Sequence, residues 1–504
     1  MRKLSVLLLM VALAFGLAQC KKTADTVAQF GGEKIQITLD VENGRHVVTP
    51  SNGQVEYQNG DIIYVGDGNT YIGALVCTNG TFTGEVATPT TANLHFYFLG
   101  GVGPNPETLY MASTTSFNVN IANQSDNLPV LSYLQVEYVP GQREYSGILQ
   151  NKCGLVKFVP ATPTTEPVRV HGMKTTATID FANPGITPTD ATGTIALYPE
   201  NDEAKWAILL PQDEVSTPDG MIGKYACTMS NVPEVTANLY SISGVSMTVR
   251  QGMLGGLFTI NPDGGKVHFS QGNLQAVGTT TSSPASGWTW SFATNQYDYI
   301  GNATANTSIS GNGTVSTNGT VDLFGWSTAN TYYGINNSKN DGDYSGDFVD
   351  WGGLTIGEYN PGTWRTLTSD EWMYLFNGRS AIGVETRFAK AYLLGSVHGV
   401  ILFPDNYTHP EGVAAPTGVN VTGNTSWNAN QYNADDWGKM EAAGCVFLPE
   451  ADGRYGSSVG SGGYYWSSTY SYSVYAYFVW FNASQLNPQY NGSWCSGYSV
   501  RLVF

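Results

Sequence analysis

The sequence predicts a mostly-β protein, two tandem β-sandwiches followed by an α+β domain, and three observations lead there. Short runs in the first half alternate apolar and polar residues, as in Lys34-Ile35-Gln36-Ile37-Thr38-Leu39-Asp40-Val41, which puts every second side chain on one sheet face. The composition, with 59 Gly and 30 Tyr but only 12% charged residues, favours strands and turns over helices. At 504 residues the chain is longer than one hydrophobic core usually serves, so several domains are expected.

Residues 1–20 are read as a signal peptide rather than as part of the fold. Arg2-Lys3 followed by the apolar run Leu4 to Leu17 supplies the charged and apolar regions of such a signal, and the run is too short to span a bilayer as a helix. Leu17-Ala18-Gln19-Cys20 resembles a bacterial lipobox, in which the cysteine is acylated and becomes the new N-terminus. The resemblance makes Cys20 the expected lipidation site and its acyl chain the expected membrane anchor. The expected location is the outer membrane of a Gram-negative cell, facing the surface.

The first sandwich is placed at 30–154. Its strands include Lys34 to Val41, Gly60-Asp61-Ile62-Ile63-Tyr64-Val65, Gly80-Thr81-Phe82-Thr83-Gly84 and Ala92 to Phe98, separated by Gly, Asn and Thr turns. The second is placed at 155–250, with strands near Leu155 to Val159, Ala177 to Ile179, Gly193 to Tyr198, Trp206 to Leu210 and Ser246 to Val249. The G-D-x-I-x-V strand, the F-x-G segment and the aromatic strand after them resemble fimbrillin-like domains, which usually occur as two sandwiches in tandem. Arg250 to Leu257, with glycine at 252, 255 and 256, reads as a linker.

The third domain, 258–504, is dense in aromatic residues interleaved with Gly, Ser and Asn. Its persuasive helix is Ser369 to Phe376, capped by Thr368 or Ser369 with acids in the first turn, and a weaker one lies near Asp435 to Ala443. Along it run Gly265-Lys266-Val267-His268-Phe269-Ser270-Gln271-Gly272-Asn273-Leu274, Asp322-Leu323-Phe324-Gly325-Trp326, Trp364-Arg365-Thr366-Leu367-Thr368-Ser369-Asp370-Glu371-Trp372, Val446 to Arg454, Gly463-Tyr464-Tyr465-Trp466-Ser467-Ser468-Thr469 and Ser499-Val500-Arg501-Leu502-Val503. That ordered series resembles the C-type-lectin-like fold of the formylglycine-generating-enzyme-related and Fibrobacter-type paralogous domain families. It is most similar to the variable proteins of diversity-generating retroelements, in which Y-W-S-S-T opens a hypervariable stretch and S-V-R-L-V closes it. The resemblance implies that side chains in between contact a ligand. Trp480 and Trp494 cannot arise from the AAY codons that such systems diversify, so a fixed paralogue of the same fold stays open.

Within Tyr475 to Phe481 a period of two divides Tyr477, Val479 and Phe481 from Ala476, Phe478 and Trp480. In the domains resembled, the first set packs inward, so Phe478 and Trp480 are expected to face outward. Outward aromatics mark an interaction site, and a Tyr, Ser, Gly and Asn mixture is what antibody loops use. The expected ligand-binding residues are Tyr472, Tyr475, Phe478, Trp480, Tyr490 and Trp494. Tyr464, Tyr465, Trp466, Tyr477 and Phe481 are expected in the core, and Arg365, Arg454 and Arg501 in the scaffold.

Other chemistry is set aside. Gly456-Ser457-Ser458-Val459-Gly460 matches G-x-S-x-G but lacks the strand before and helix after that a nucleophile elbow needs. A formylglycine-generating oxidase works through a close cysteine pair, whereas Cys445 and Cys495 stand far apart in the sequence. Asp341, Asp343 and Asp347 have calcium-loop spacing, but Gly352 occupies the place of the closing glutamate, so a solvated acidic loop is expected. No metal or cofactor is expected, and no enzyme activity. A net charge of −17 repels nucleic acid. The function expected is a lipid-anchored adhesin or receptor for a protein or glycan on another cell, a phage or a host. A fimbrial tip or accessory subunit is the alternative, and a glycan-active enzyme the less favoured one.

Overall fold

The computed structural model describes residues 33–41, 57–278, 287–309, 319–329 and 331–504. The expected signal segment and Cys20 lie outside them. The architecture is mostly β, as the alternation and composition predict.

The first eight-stranded sheet runs in the order Glu144–Gly147, Lys34–Val41, Thr81–Ala87, Tyr71–Thr78, Ile62–Gly66, Asn93–Phe98, Ser132–Glu137, Gln150–Asn151. Lys34–Val41 pairs antiparallel with Thr81–Ala87, and its alternation is realised with Ile37 and Leu39 fully buried against Phe82 and Val86. The second eight-stranded sheet centres on Tyr240–Leu254, which lies between Tyr225–Met229 and Gly154–Pro160. A smaller sheet joins the two regions, because Ser116–Asn120 from the first pairs with Thr176–Asp180 from the second. Beneath it, Tyr64, Tyr71, Tyr97, Phe181 and Trp206 share one buried cluster.

The glycine-rich stretch expected to be a linker is instead structured. Arg250 to Leu254 is the end of the 15-residue strand Tyr240–Leu254, and Leu254 N–H donates to Phe269 O at 2.8 Å, so the strand passes straight into the following segment. Gly255 and Gly256 are there for close approach, and Gly252 for a left-handed φ of +82°. A Cβ on Gly256 would stand 2.0 Å from Gly444 O, and one on Gly255 would meet the Met221 side chain. Across this junction His171 contacts Gly255 O at 3.1 Å, His268 Nε2 lies 3.1 Å from Asp219 Oδ2, and Tyr225 donates to Gln271 at 3.1 Å.

From Phe258 on, short sheets close into one body. His268 and Phe504 exchange backbone hydrogen bonds, and Leu274 N–H donates to Val500 O at 2.9 Å, so the start and the last strand of this region are tied together. The helix Ser369–Phe376 forms with the expected cap: Thr368 and Glu371 make a reciprocal capping box. The weaker helix is Ala434–Glu441, capped by Asn433. Two large buried clusters fill the region, and the C-terminal three-stranded sheet Gly463–Tyr472, Tyr475–Phe481, Leu486–Ser493 stands between them.

Candidate binding surface on the C-terminal sheet

Tyr475–Phe481 is the central strand of that sheet, with Gly463–Tyr472 on one side and Leu486–Ser493 as its outer edge. Cross-strand rows share a face. On one face run Tyr464, Trp480 and Asn487, then Trp466, Phe478 and Tyr490, then Tyr470, Ala476 and Gly492. On the other, Tyr465, Val479, Phe481 and Leu486 pack into the cluster that holds helix Ser369–Phe376.

The period of two divides the side chains as expected, but the middle of the first face is covered as well as the second face. Phe478 is 3% exposed, packed against Trp466 and Tyr498, and does not face outward. Trp494 is also buried, its ring stacked on Trp326 at 5.5 Å. Alternation reports which residues share a face, not whether a second layer lies over it, and here Tyr498 over Phe478 and Trp326 over Trp494 belong to that layer. Trp480 is half-buried, 5.2 Å from Tyr490. Tyr472 and Tyr490 are exposed at 56% and 47%, and half-buried Tyr475 stacks on Tyr472 at 5.0 Å across the hairpin turn. Of the residues expected inside, Tyr465, Trp466 and Phe481 are buried, while Tyr464 and Tyr477 are only half-buried.

The structure adds residues that the sequence reading passed over. Tyr470 is 51% exposed and sits 6.0 Å from Trp494. It lies two residues before Tyr472, so the same Tyr and Ser composition that singled out Tyr472 could have found it. Tyr455, exposed at the tip of the Gly453–Gly460 hairpin, is covered by the Lys339 ammonium 5.0 Å from its ring centre. That hairpin is the G-x-S-x-G segment, held by pairing Arg454–Tyr455 with Ser496–Gly497.

Asp341 departs from the solvated loop expected of it. Its carboxylate accepts from the Ser493 hydroxyl and from Cys495 N–H at 3.1 Å, clamping the segment that follows the edge strand. Asp343 instead accepts from Ser338 and Asn340 within its own loop, and Asp347 is exposed. Among the described residues no group of three His, Cys, Asp or Glu side chains could hold a metal ion. The five described cysteines are buried and free.

The arginines are struts. Arg365 grips Glu371 with two bonds of 2.8 and 2.7 Å. Buried Arg454 donates to Leu323 O and Asn336 O, and buried Arg501 to Gln296 and Asn273. Beside the sheet, burial and, after it, the Asp452 charge push the Glu450 carboxyl up to about 7, and burial raises Asp452 as well. Both also act on the Tyr464 hydroxyl, which burial raises and the Trp480 side chain partly offsets by hydrogen bonding.

No family model and no curated protein matches the chain. Among solved structures it is similar to a proposed cell adhesion protein from Bacteroides uniformis, at 16% identity and a TM-score of 0.29, with 43% of this chain and 96% of that one covered. A proposed cell adhesion protein from Bacteroides ovatus matches at 14% identity and 0.27, covering 44% and 97%. A fimbrial assembly protein from Parabacteroides distasonis matches at 8% identity and 0.26, covering 43% and 96%. At these values the functional reading rests on the chain's own residues.

Proposed function

We propose that the chain is a cell-surface binding protein, an adhesin or receptor, anchored through acylated Cys20, whose C-terminal sheet presents a ligand-contacting surface. The observation that carries this is that three of the seven exposed tyrosines among the described residues share one small sheet. Tyr470, Tyr472 and Tyr490 stand on one small sheet, with Tyr455 on the neighbouring hairpin. Exposed aromatics clustered at one place mark an interaction surface, and tyrosine dominates binding hot spots. The ligand is a protein or glycan on another cell, a phage or a host, and the two sandwiches give the head its reach.

The order of motifs from Gly265 to Val503 supports a C-type-lectin-like head, and the Y-W-S-S-T and S-V-R-L-V frames support descent from a retroelement-diversified protein. In that reading buried Trp494 is a fixed scaffold position, while Tyr470, Tyr472 and Tyr490 are free to vary. The test is binding of the labelled mature chain to intact neighbouring cells and phage, compared with a Tyr470→Ala/Tyr472→Ala/Tyr490→Ala variant. The reading expects saturable binding that the variant loses. Equal binding by both would overturn it. Incorporation of labelled fatty acid that Cys20→Ser abolishes tests the anchor, and sequencing codons 464–504 across a population tests diversification.

A further inference from the structure

Resting on that reading, the proposal here narrows the ligand class. We propose that the Tyr464, Trp480, Asn487 row with Tyr490 is a stacking platform for an uncharged pyranose ring of a glycan, bound without a metal ion.

The row lies at one end of the sheet, away from the Tyr472–Tyr475 turn, and combines two kinds of group. Trp480 and Tyr490 stand 5.2 Å apart at 49°, two ring faces of a shallow angle rather than a closed pocket. Such faces suit the C–H faces of a sugar ring, which are apolar and broad. Asn487 lies directly opposite Trp480. Its Oδ1 is committed to Gln489 N–H at 2.9 Å, while among the described residues its Nδ2 has no protein partner and is free to donate to a hydroxyl.

Charge selects among occupants. From Tyr455 to Val500 the chain carries no charged side chain, so nothing in the sheet pairs with a phosphate, sulfate or carboxylate. The Asp452 and Glu450 carboxyls both act on the Tyr464 hydroxyl; they disfavour an anionic sugar and can accept hydroxyl hydrogen bonds. A peptide strand is a poorer fit. The edge strand Leu486–Ser493 contains Pro488, and its register is broken between Phe478 and Trp480, both of which impede backbone pairing with an added strand.

The experiment uses the full mature chain on an array of neutral, sialylated and sulfated glycans, followed by calorimetric titration with methyl glycosides of the terminal sugars that bind. The proposal expects neutral pyranoses to bind in the presence of a chelator, with Tyr490→Ala weakening them by about tenfold or more. Trp480→Phe, which keeps a ring in place, weakens them less. Tyr240→Ala, an exposed tyrosine of the second sandwich, leaves them unchanged. Preference for sulfated or sialylated glycans, dependence on calcium, or indifference to Tyr490→Ala would each overturn it. Cell binding that needs the tyrosines but survives periodate oxidation of the target's glycans would sink this inference and leave the binding reading standing. Absence of any tyrosine-dependent binding would sink both.

Discussion

Tyrosine does different work in the core shared by the first two sheets and on the C-terminal sheet. In the sandwiches Tyr64, Tyr71 and Tyr97 are buried in a shared core, and the hydroxyls of Tyr64 and Tyr97 reach backbone carbonyls at 2.7 and 2.6 Å. In the head Tyr344 and Tyr465 do the same, yet Tyr455, Tyr470, Tyr472 and Tyr490 stand exposed. The contrast lies in layering. Inner tyrosines have a second sheet or segment over them, whereas the outer ones, on a hairpin turn, on an edge strand or beside them, rest on one neighbour each or a few and keep about half their surface open. A residue type that builds a core in one place is therefore available for recognition in another.

The largest effect comes from breaking the buried side of this contrast. Phe478→Ala should cost about 3–5 kcal/mol, as should Tyr97→Ala in the sandwiches, read by chemical denaturation. If Phe478→Ala cost little, the ring would not be core and the outward assignment would return. Asp341→Ala, which orphans Cys495 N–H and leaves the Ser493 hydroxyl only the Cys495 sulfur, should cost about 1–3 kcal/mol and speed hydrogen exchange at 493–495 above the rest of the head.

A smaller effect is set by pH. Glu450 has a folded pKa near 7, above its ordinary value, so its contribution favours the fold at low pH and is lost as pH rises toward 7. His398, 3.3 Å from it, is lowered by burial and acts with the opposite sign below its ordinary range. The parent chain should lose melting temperature through this group as pH rises from 4.5 to about 7, and Glu450→Gln should flatten that decline. An unchanged slope would mean that the carboxyl is not held from ionising. The smallest stability effect belongs to Tyr472→Ala, within about 0.5 kcal/mol, since an exposed ring loses little on removal.

Much of the fold was legible in the sequence. Lys34 to Val41 announces its strand by strict alternation, and Thr368 with Glu371 announces the start of its helix, because both signals are local. The junction was not legible. A run with glycine at 252, 255 and 256 reads as flexible unless the partners crowding it are known, and Met221 and Gly444 are distant in sequence. The same limit hid the burial of Phe478 and Trp494, which depends on Trp326 and its neighbours folding over the sheet. The exposure of Tyr472 and Tyr490 was legible because a Tyr, Ser, Gly and Asn mixture is itself a local signal. The clamp from Asp341 was missed because its partners lie more than 150 residues away.

The most direct test of the account compares the full mature chain with its Tyr470→Ala/Tyr472→Ala/Tyr490→Ala variant, measuring melting temperature and binding to intact target cells on the same samples. The account predicts an unchanged melting temperature and lost binding. A lowered melting temperature with binding retained would contradict it, placing these tyrosines in the fold and the ligand elsewhere.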